Sequence, residues 1–94
     1  SKTLVFKVAG KMFALAGMES FNYVNLKCDP EKSIDYRERY EGIKPGYHMN
    51  KKHWNSVYIY QDVDDTLFLK LLDHSYQLVV KSLTKKAYEE LQNR

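Results

Sequence analysis

Leu4, Phe6 and Val8 alternate with Val5, Lys7 and Ala9, and only Gly10 and Lys11 separate this run from the next apolar one, Met12-Phe13-Ala14-Leu15-Ala16. A period of two is the signature of a strand. So short a connection constrains the fold more than any other feature of the chain. The second strand must turn back and pair antiparallel, because a parallel partner needs a crossover of about a dozen residues. With Gly leading the pair, the spacing predicts a type II′ hairpin at Gly10-Lys11. Gly17 to Ser20 predicts the next turn. Phe21 to Cys28 then alternates again, with Phe21 and Tyr23 opposed to Val24 and Leu26. The chain opens as three antiparallel strands.

The pattern then changes to a helical one. In Asp29-Pro30-Glu31, Asp can accept from free N–H groups, Pro presets φ at the first helical position, and Glu complements the dipole. This helix is expected to run to Arg39 or Tyr40, with Gly42 ending it in the left-handed conformation. Ile34 and Tyr40 are its expected contacts with the sheet. Pro45-Gly46 predicts a break, Tyr47 to Met49 a brief extended stretch, and Asn50 to Lys52 a turn. Trp54 to Tyr60 predicts a strand with Tyr58 and Tyr60 on one face. Asp62 to Asp65 supplies caps for the longest helix, in which Leu67, Phe68, Leu71, Leu72, Ser75, Leu78 and Val79 make one apolar stripe. Thr84 caps a last helix, Lys85 to Gln92, whose expected apolar contacts are Tyr88 and Leu91.

Residues 1–94 therefore read as one α+β domain of two layers: a five-stranded antiparallel sheet with helices on one face, in the order β-β-β-α-β-β-α-α. The hydrophobic fraction is 44% and the charged fraction 29%, ordinary for a folded soluble domain. One thiol, Cys28, excludes an internal disulfide and a cysteine-rich zinc site. No run approaches the roughly 20 apolar residues of a membrane span, and no signal pattern opens the chain. The expectation is a cytoplasmic protein with no membrane partner.

Four blocks carry a family resemblance: Lys11-Met12-Phe13-Ala14-Leu15, Asn25 to Pro30, Pro45 to Asn55 (PGYHMNKKHWN), and Asp73-His74-Ser75-Tyr76. In this order, over essentially the whole chain, they resemble the MmcQ/YjbR-like family. The resemblance implies a secretion-chaperone-like, or CyaY-like, two-layer fold of order α-β-β-β-α-β-β-α. It also implies a "double-wing" DNA-binding role, with no enzymatic activity and no cofactor. Members carry a helix before the first strand, whereas this chain begins on that strand. Without such a helix, apolar surface on the sheet is expected to stay exposed.

Lys44, His48, Lys51, Lys52 and His53 lie in a stretch without Asp or Glu, interleaved with Tyr47 and Trp54. Cations of this kind can hold phosphates while rings pack on sugar or base. With the resemblance, Lys44, Tyr47, His48, Asn50, Lys51, Lys52 and His53 are the candidate nucleic-acid contacts, and double-stranded DNA is the leading partner. Lys7 and Lys11, with Lys2, are candidates for a second wing. The alternative is a solvated hairpin tip and ordinary surface lysines. With no base-reading helix, binding is expected to be weak, salt-sensitive and poorly selective for sequence. The second functional class is a protein-interaction module that holds a partner on the sheet's open face or an edge strand.

Other constellations are weaker. His48 and His53 lack the third ligand that zinc needs. Asp73-His74-Ser75 cannot form a relay, because neighbours on a helix point about 100° apart, and Asp73 is a candidate to pair with a basic hairpin residue. Cys28, before a helix N-terminus, is placed for a lowered thiol pKa, against which Asp29 and burial both act. An enzymatic reading would need a deep pocket joining Cys28, His48 and Asp73.

Overall fold

In the computed structural model, which describes residues 3–17 and 22–94, the order is β1 (Thr3–Val8), β2 (Lys11–Gly17), β3 (Tyr23–Lys27), α1 (Pro30–Arg39), β4 (Ile43–Pro45), β5 (Trp54–Tyr58), α2 (Asp65–Lys81) and α3 (Lys85–Gln92). The strands form one antiparallel sheet in the order β1-β2-β3-β5-β4. Phe21 and Lys2, and the expected turn at Met18 to Ser20, lie outside the described residues.

Register fixes the two faces, since residues directly opposite share a side. Ala16, Val24, Val57 and Ile43 form one row under the helices, and Ala14 and Leu26 continue that face. With Val63 and Leu71 they make the main core, joined by Tyr36 and Tyr40 of α1 and by Leu67, Phe68 and Leu72 of α2. The α2 stripe thus covers the sheet as its spacing predicts. Val8, Val79 and Val80 form a second cluster with Leu91 of α3, while Tyr88 is exposed. Ser75, fully buried, bridges two strands: its hydroxyl accepts from Lys27 N–H at 2.8 Å and donates to Phe13 O at 2.6 Å. This crosslink lies beside the irregularity between Phe6 and Lys7, where the register skips Phe13. The core-side residues Leu4 and Phe6 of edge strand β1 remain 40% and 44% exposed.

Several local expectations are corrected. The first turn is Ala9-Gly10, not Gly10-Lys11: Val8 pairs with Lys11, and both central residues have positive φ, 50° and 79°. That sign pattern is type I′, whose twist matches the flanking strands. β3 starts at Tyr23 and ends at Lys27, inside the expected Phe21–Cys28 span. Helix α1 ends on Tyr40 in an extended conformation, not on a left-handed Gly42. Gly42 is needed for closeness, since a Cβ there would stand 3.0 Å from Asp62 Oδ1 and 3.2 Å from Tyr58 O. Ile34 faces solvent at 61% exposure; Ser33 is the buried residue of α1, with Tyr36 and Tyr40 against the core.

The second hairpin is also displaced. Its first strand is Ile43–Pro45 rather than Tyr47–Met49, and Pro45 pairs with Asn55. Proline is tolerated there because β4 is an edge strand, where a missing N–H leaves no ladder bond unmade. Strand β5 stops at Tyr58; Tyr60 has φ 64° and is 95% exposed, so the two rings share no strand face. Asp64 caps α2 through Leu67 N–H. Asp62 instead accepts from Glu41 N–H at 2.7 Å and Gly42 N–H at 2.8 Å.

Candidate nucleic-acid interface

The segment from Gly46 to His53 is a loop that folds onto the outer face of the sheet, the side away from the helices. That face carries the row Val5, Leu15, Asn25, Ser56, Lys44 and, beside it, the pair Tyr23 and Tyr58. Asn25 and Ser56 are 1% and 0% exposed. The Ser56 hydroxyl donates to Asn25 Oδ1 and accepts from Tyr47 N–H at 2.8 Å; Asn25 Nδ2 donates to Tyr47 O at 3.2 Å. A buried polar pair thus fixes the backbone of Tyr47 on both sides. Gly46 permits the approach, because a Cβ there would meet Trp54 Cβ at 2.8 Å and Trp54 O at 2.9 Å.

A second clamp reaches the loop from α1. Arg37 Nε donates to Asn55 Oδ1 at 2.7 Å, and its Nη2 donates to Trp54 O at 3.3 Å and to Lys51 O. Asn55 Nδ2 in turn donates to the buried Ser33 hydroxyl at 3.2 Å. Asn50 is structural: its Oδ1 accepts from Lys52 N–H and His53 N–H. Nothing in the spacing of Arg37 marked it as part of the loop, since it is one of several charges on a surface helix. The buried Asn55 Oδ1 needs a donor, and Arg37 is that donor.

Tyr47, His48, Lys44, Lys51, Lys52 and His53 are exposed, Tyr47 at 53%. The Tyr47 ring lies 4.0 Å, centroid to centroid, from His48 and makes a T-shaped contact with Tyr23 at 5.9 Å; Tyr23 lies 5.3 Å from Tyr58. Partial burial and the two neighbouring phenols push the Tyr23 hydroxyl pKa up. Lys51 Nζ donates to Gly46 O at 2.9 Å, leaving its other protons for a ligand. Lys44 lies close enough to Asp62 to help hold that carboxylate low, after the hydrogen bonds from Gly42 and Glu41 N–H. Among the described residues, no ion pair within 4.0 Å involves Lys44, Lys51, Lys52 or Asp73. The expected pairing of Asp73 with the hairpin is therefore not formed.

Both hairpins point the same way. Val8 pairs with Lys11 at one end of β1 and β2, and Lys27 pairs with Trp54 at the same end of β3 and β5. The Ala9-Gly10 turn, flanked by Lys7 and Lys11, and the loop carrying Lys51 and Lys52 therefore flank one end of the sheet. Between them, Lys27 Nζ sits 5.9 Å from the Trp54 ring centroid. From the outermost strand to the other, four spacings separate β1 and β4, about 19 Å. The Ala9-Gly10 turn also borders a shallow hollow of about 370 Å³ lined by Lys7, Glu90 and Arg94 among others.

The remaining candidates have local partners. Cys28 is 4% exposed, and burial pushes its thiol up rather than down, outweighing the hydrogen bond with Ser33 and the charges of Lys32 and Arg37. His74 Nε2 accepts from Asp29 N–H at 3.2 Å, and the Ser75 hydroxyl goes to Phe13 O. No three His, Cys, Asp or Glu side chains among the described residues gather as a metal site. No described helix is long and apolar enough to cross a membrane.

This geometry meets a family pattern across most of the chain. The YjbR family model matches residues 1–78. The chain belongs to the YjbR family. It is 46% identical over 83 residues to the uncharacterized protein YbdF of Escherichia coli O157:H7, a match covering 87% of this chain and 68% of that protein. It is 33% identical to the uncharacterized protein YjbR of Escherichia coli K12, covering 90% and 73% of the two chains. The crystal structure of Deinococcus radiodurans protein DR2400, with its DUF419 domain, superposes with a TM-score of 0.89 at 40% identity, covering 96% of this chain and 70% of that one. The YjbR fold is thus the α+β architecture described above, with a five-stranded antiparallel sheet.

Proposed function

We propose that this YjbR-family domain binds DNA without catalysis, placing the 46–53 loop and the Ala9-Gly10 turn against phosphates. One observation carries the reading. The exposed ammonium groups of Lys51 and Lys52 sit on a loop clamped by Arg37, Asn25 and Ser56, with no carboxylate in sequence from Gly42 to Gln61. A clamped cationic loop loses little entropy when it meets a phosphate. The two hairpins are centred three strand spacings apart, about 14 Å, close to the roughly 12 Å width of the major groove, so they suit the backbones on its two sides. With no helix presented to a groove, binding is electrostatic and sequence-tolerant.

A fluorescence-polarisation titration of labelled duplex DNA at low and at physiological salt tests this. Binding at low salt that weakens with salt and is further weakened in Lys51→Glu with Lys52→Glu is the expected result. Absence of binding at low salt, or indifference to that double substitution, removes the reading.

A second reading, a protein-interaction module, has its own observation. Leu4, Val5 and Phe6 of edge strand β1 are 40%, 39% and 44% exposed, and an edge strand offers unpaired backbone groups to an added segment. A stable protein partner released by Leu4→Glu with Phe6→Glu, together with indifference to DNA, favours this reading over the first.

A further inference from the structure

The outer face of the sheet holds more than the phosphate reading uses. Lysines suffice to grip a backbone, yet the loop also brings an aromatic group to the surface and fixes it there. Tyr47 is more than half exposed, and large exposed rings on loops are ordinarily mobile. Here the ring is held by the edge-to-face contact with Tyr23, by the tilted contact with His48, and by backbone bonds to Asn25 and Ser56. Two buried polar side chains on an otherwise open face are costly unless satisfied, and the group they satisfy is the backbone of Tyr47. Tyr23 and Tyr58 lie in register beside it, extending the aromatic surface across two strands. The helices pack on the opposite side, so among the described residues only the loop itself covers this face.

We propose that Tyr47, with Tyr58 and Tyr23 beside it, is a stacking platform for unpaired nucleobases, so that the nucleic acid this site prefers is single-stranded. The inference rests on the phosphate-binding reading above and adds the state of the bases. Charge complementarity selects this occupant. Lys44 shares the outer face through its register with Ser56, His48 lies against the Tyr47 ring at a tilt, and Lys51 and Lys52 follow on the same loop. Rings bordered by cations are how sequence-tolerant single-strand sites are built: the base meets a π-face while the chain tracks positive charge. A duplex cannot use the platform, because its bases are stacked on one another, so it gains only the charge contacts.

The experiment compares a labelled oligothymidylate with a duplex of equal length at the same low salt, using the whole chain and three variants. The wild type is expected to bind the single strand more tightly. Tyr47→Ala is expected to weaken the single strand by about 5- to 160-fold and the duplex by a clearly smaller factor. Tyr47→Phe, which keeps the ring, is expected to retain wild-type affinity for both. Lys51→Glu with Lys52→Glu is expected to weaken both. Equal wild-type affinities with no effect of Tyr47→Ala overturn the platform while leaving phosphate binding standing. A Tyr47→Ala loss equal on both nucleic acids also overturns it, as damage to the loop. Failure of the wild type to bind either form overturns both readings together.

Discussion

His74 sits one residue from the Ser75 bridge, and its neutral Nε2 accepts the backbone N–H of Asp29, the cap of α1. Only a neutral imidazole has that lone pair. Desolvation is the main cause that lowers its pKa, with Lys32 and Lys81 adding to the effect, while Asp29 and Asp73 oppose it. The folded state therefore takes up a proton less readily than the unfolded chain, whose histidine titrates near about 6.5. Above that pH the contribution to stability is fully present; as pH falls through the depressed folded value it is lost. Melting temperature is expected to drop between pH 7.5 and pH 5.5 (chosen to bracket about 6.5), and to drop less in His74→Gln, whose amide oxygen can accept the same N–H. Asp62, also shifted downward, titrates below about 3.9 and contributes nothing in that window. Equal pH dependence in thermal melts of the two proteins refutes the assignment. From the sequence, Asp73-His74-Ser75 could only be denied a relay; which backbone groups His74 and Ser75 serve depends on contacts with strands far away in the chain.

The two hairpins carry a lesson about elements. Alternation located the strands of the first one, but the turn is one residue earlier than the glycine suggests, because an I′ turn puts Gly second and demands positive φ from the residue before it. Ala9 supplies it at φ 50°, a conformation that costs an ordinary L-residue roughly 1–2 kcal/mol. Asn tolerates it far better, so Ala9→Asn is expected to raise stability by about 0.5–1 kcal/mol, read as a higher denaturant midpoint at unchanged slope. No gain places the turn in a different conformation. In the second hairpin the periodic signal itself was too short: Ile43–Pro45 is three residues, less than a period-two pattern needs, while Tyr47-His48-Met49 looked extended only because aromatic residues favour strands. The helices were legible because caps and apolar stripes are local signals. Asp29, Asp64 and Thr84 each accept the N–H groups of the helix they precede. Arg37 was not legible, since its value lies in two carbonyls and an amide brought to it by the fold.

At the scale of the whole molecule, the sheet turns two sequence-distant lysine pairs into a single cationic end. Lys7 with Lys11 and Lys51 with Lys52 belong to hairpins on opposite edges, β1–β2 and β4–β5. Were only one wing used, the antiparallel topology that points both turns the same way would have no bearing on binding. If both grip phosphates, each releases its own counterions, and the slope of log affinity against log salt sums over the contacts at about 0.9 per phosphate. Lys51→Glu with Lys52→Glu is expected to reduce the magnitude of that slope by about 1.8, and Lys7→Glu with Lys11→Glu by a similar amount. Sites farther apart than about 7–10 Å act independently, so the quadruple variant is expected to show the sum. Exposed charge changes alter stability by only about 0.5 kcal/mol, which a melting curve on each variant verifies. Titrations across a salt series decide the matter. A slope that responds to the loop pair alone reduces the protein to one wing, whereas two independent and additive losses require a nucleic acid lying across the sheet's end.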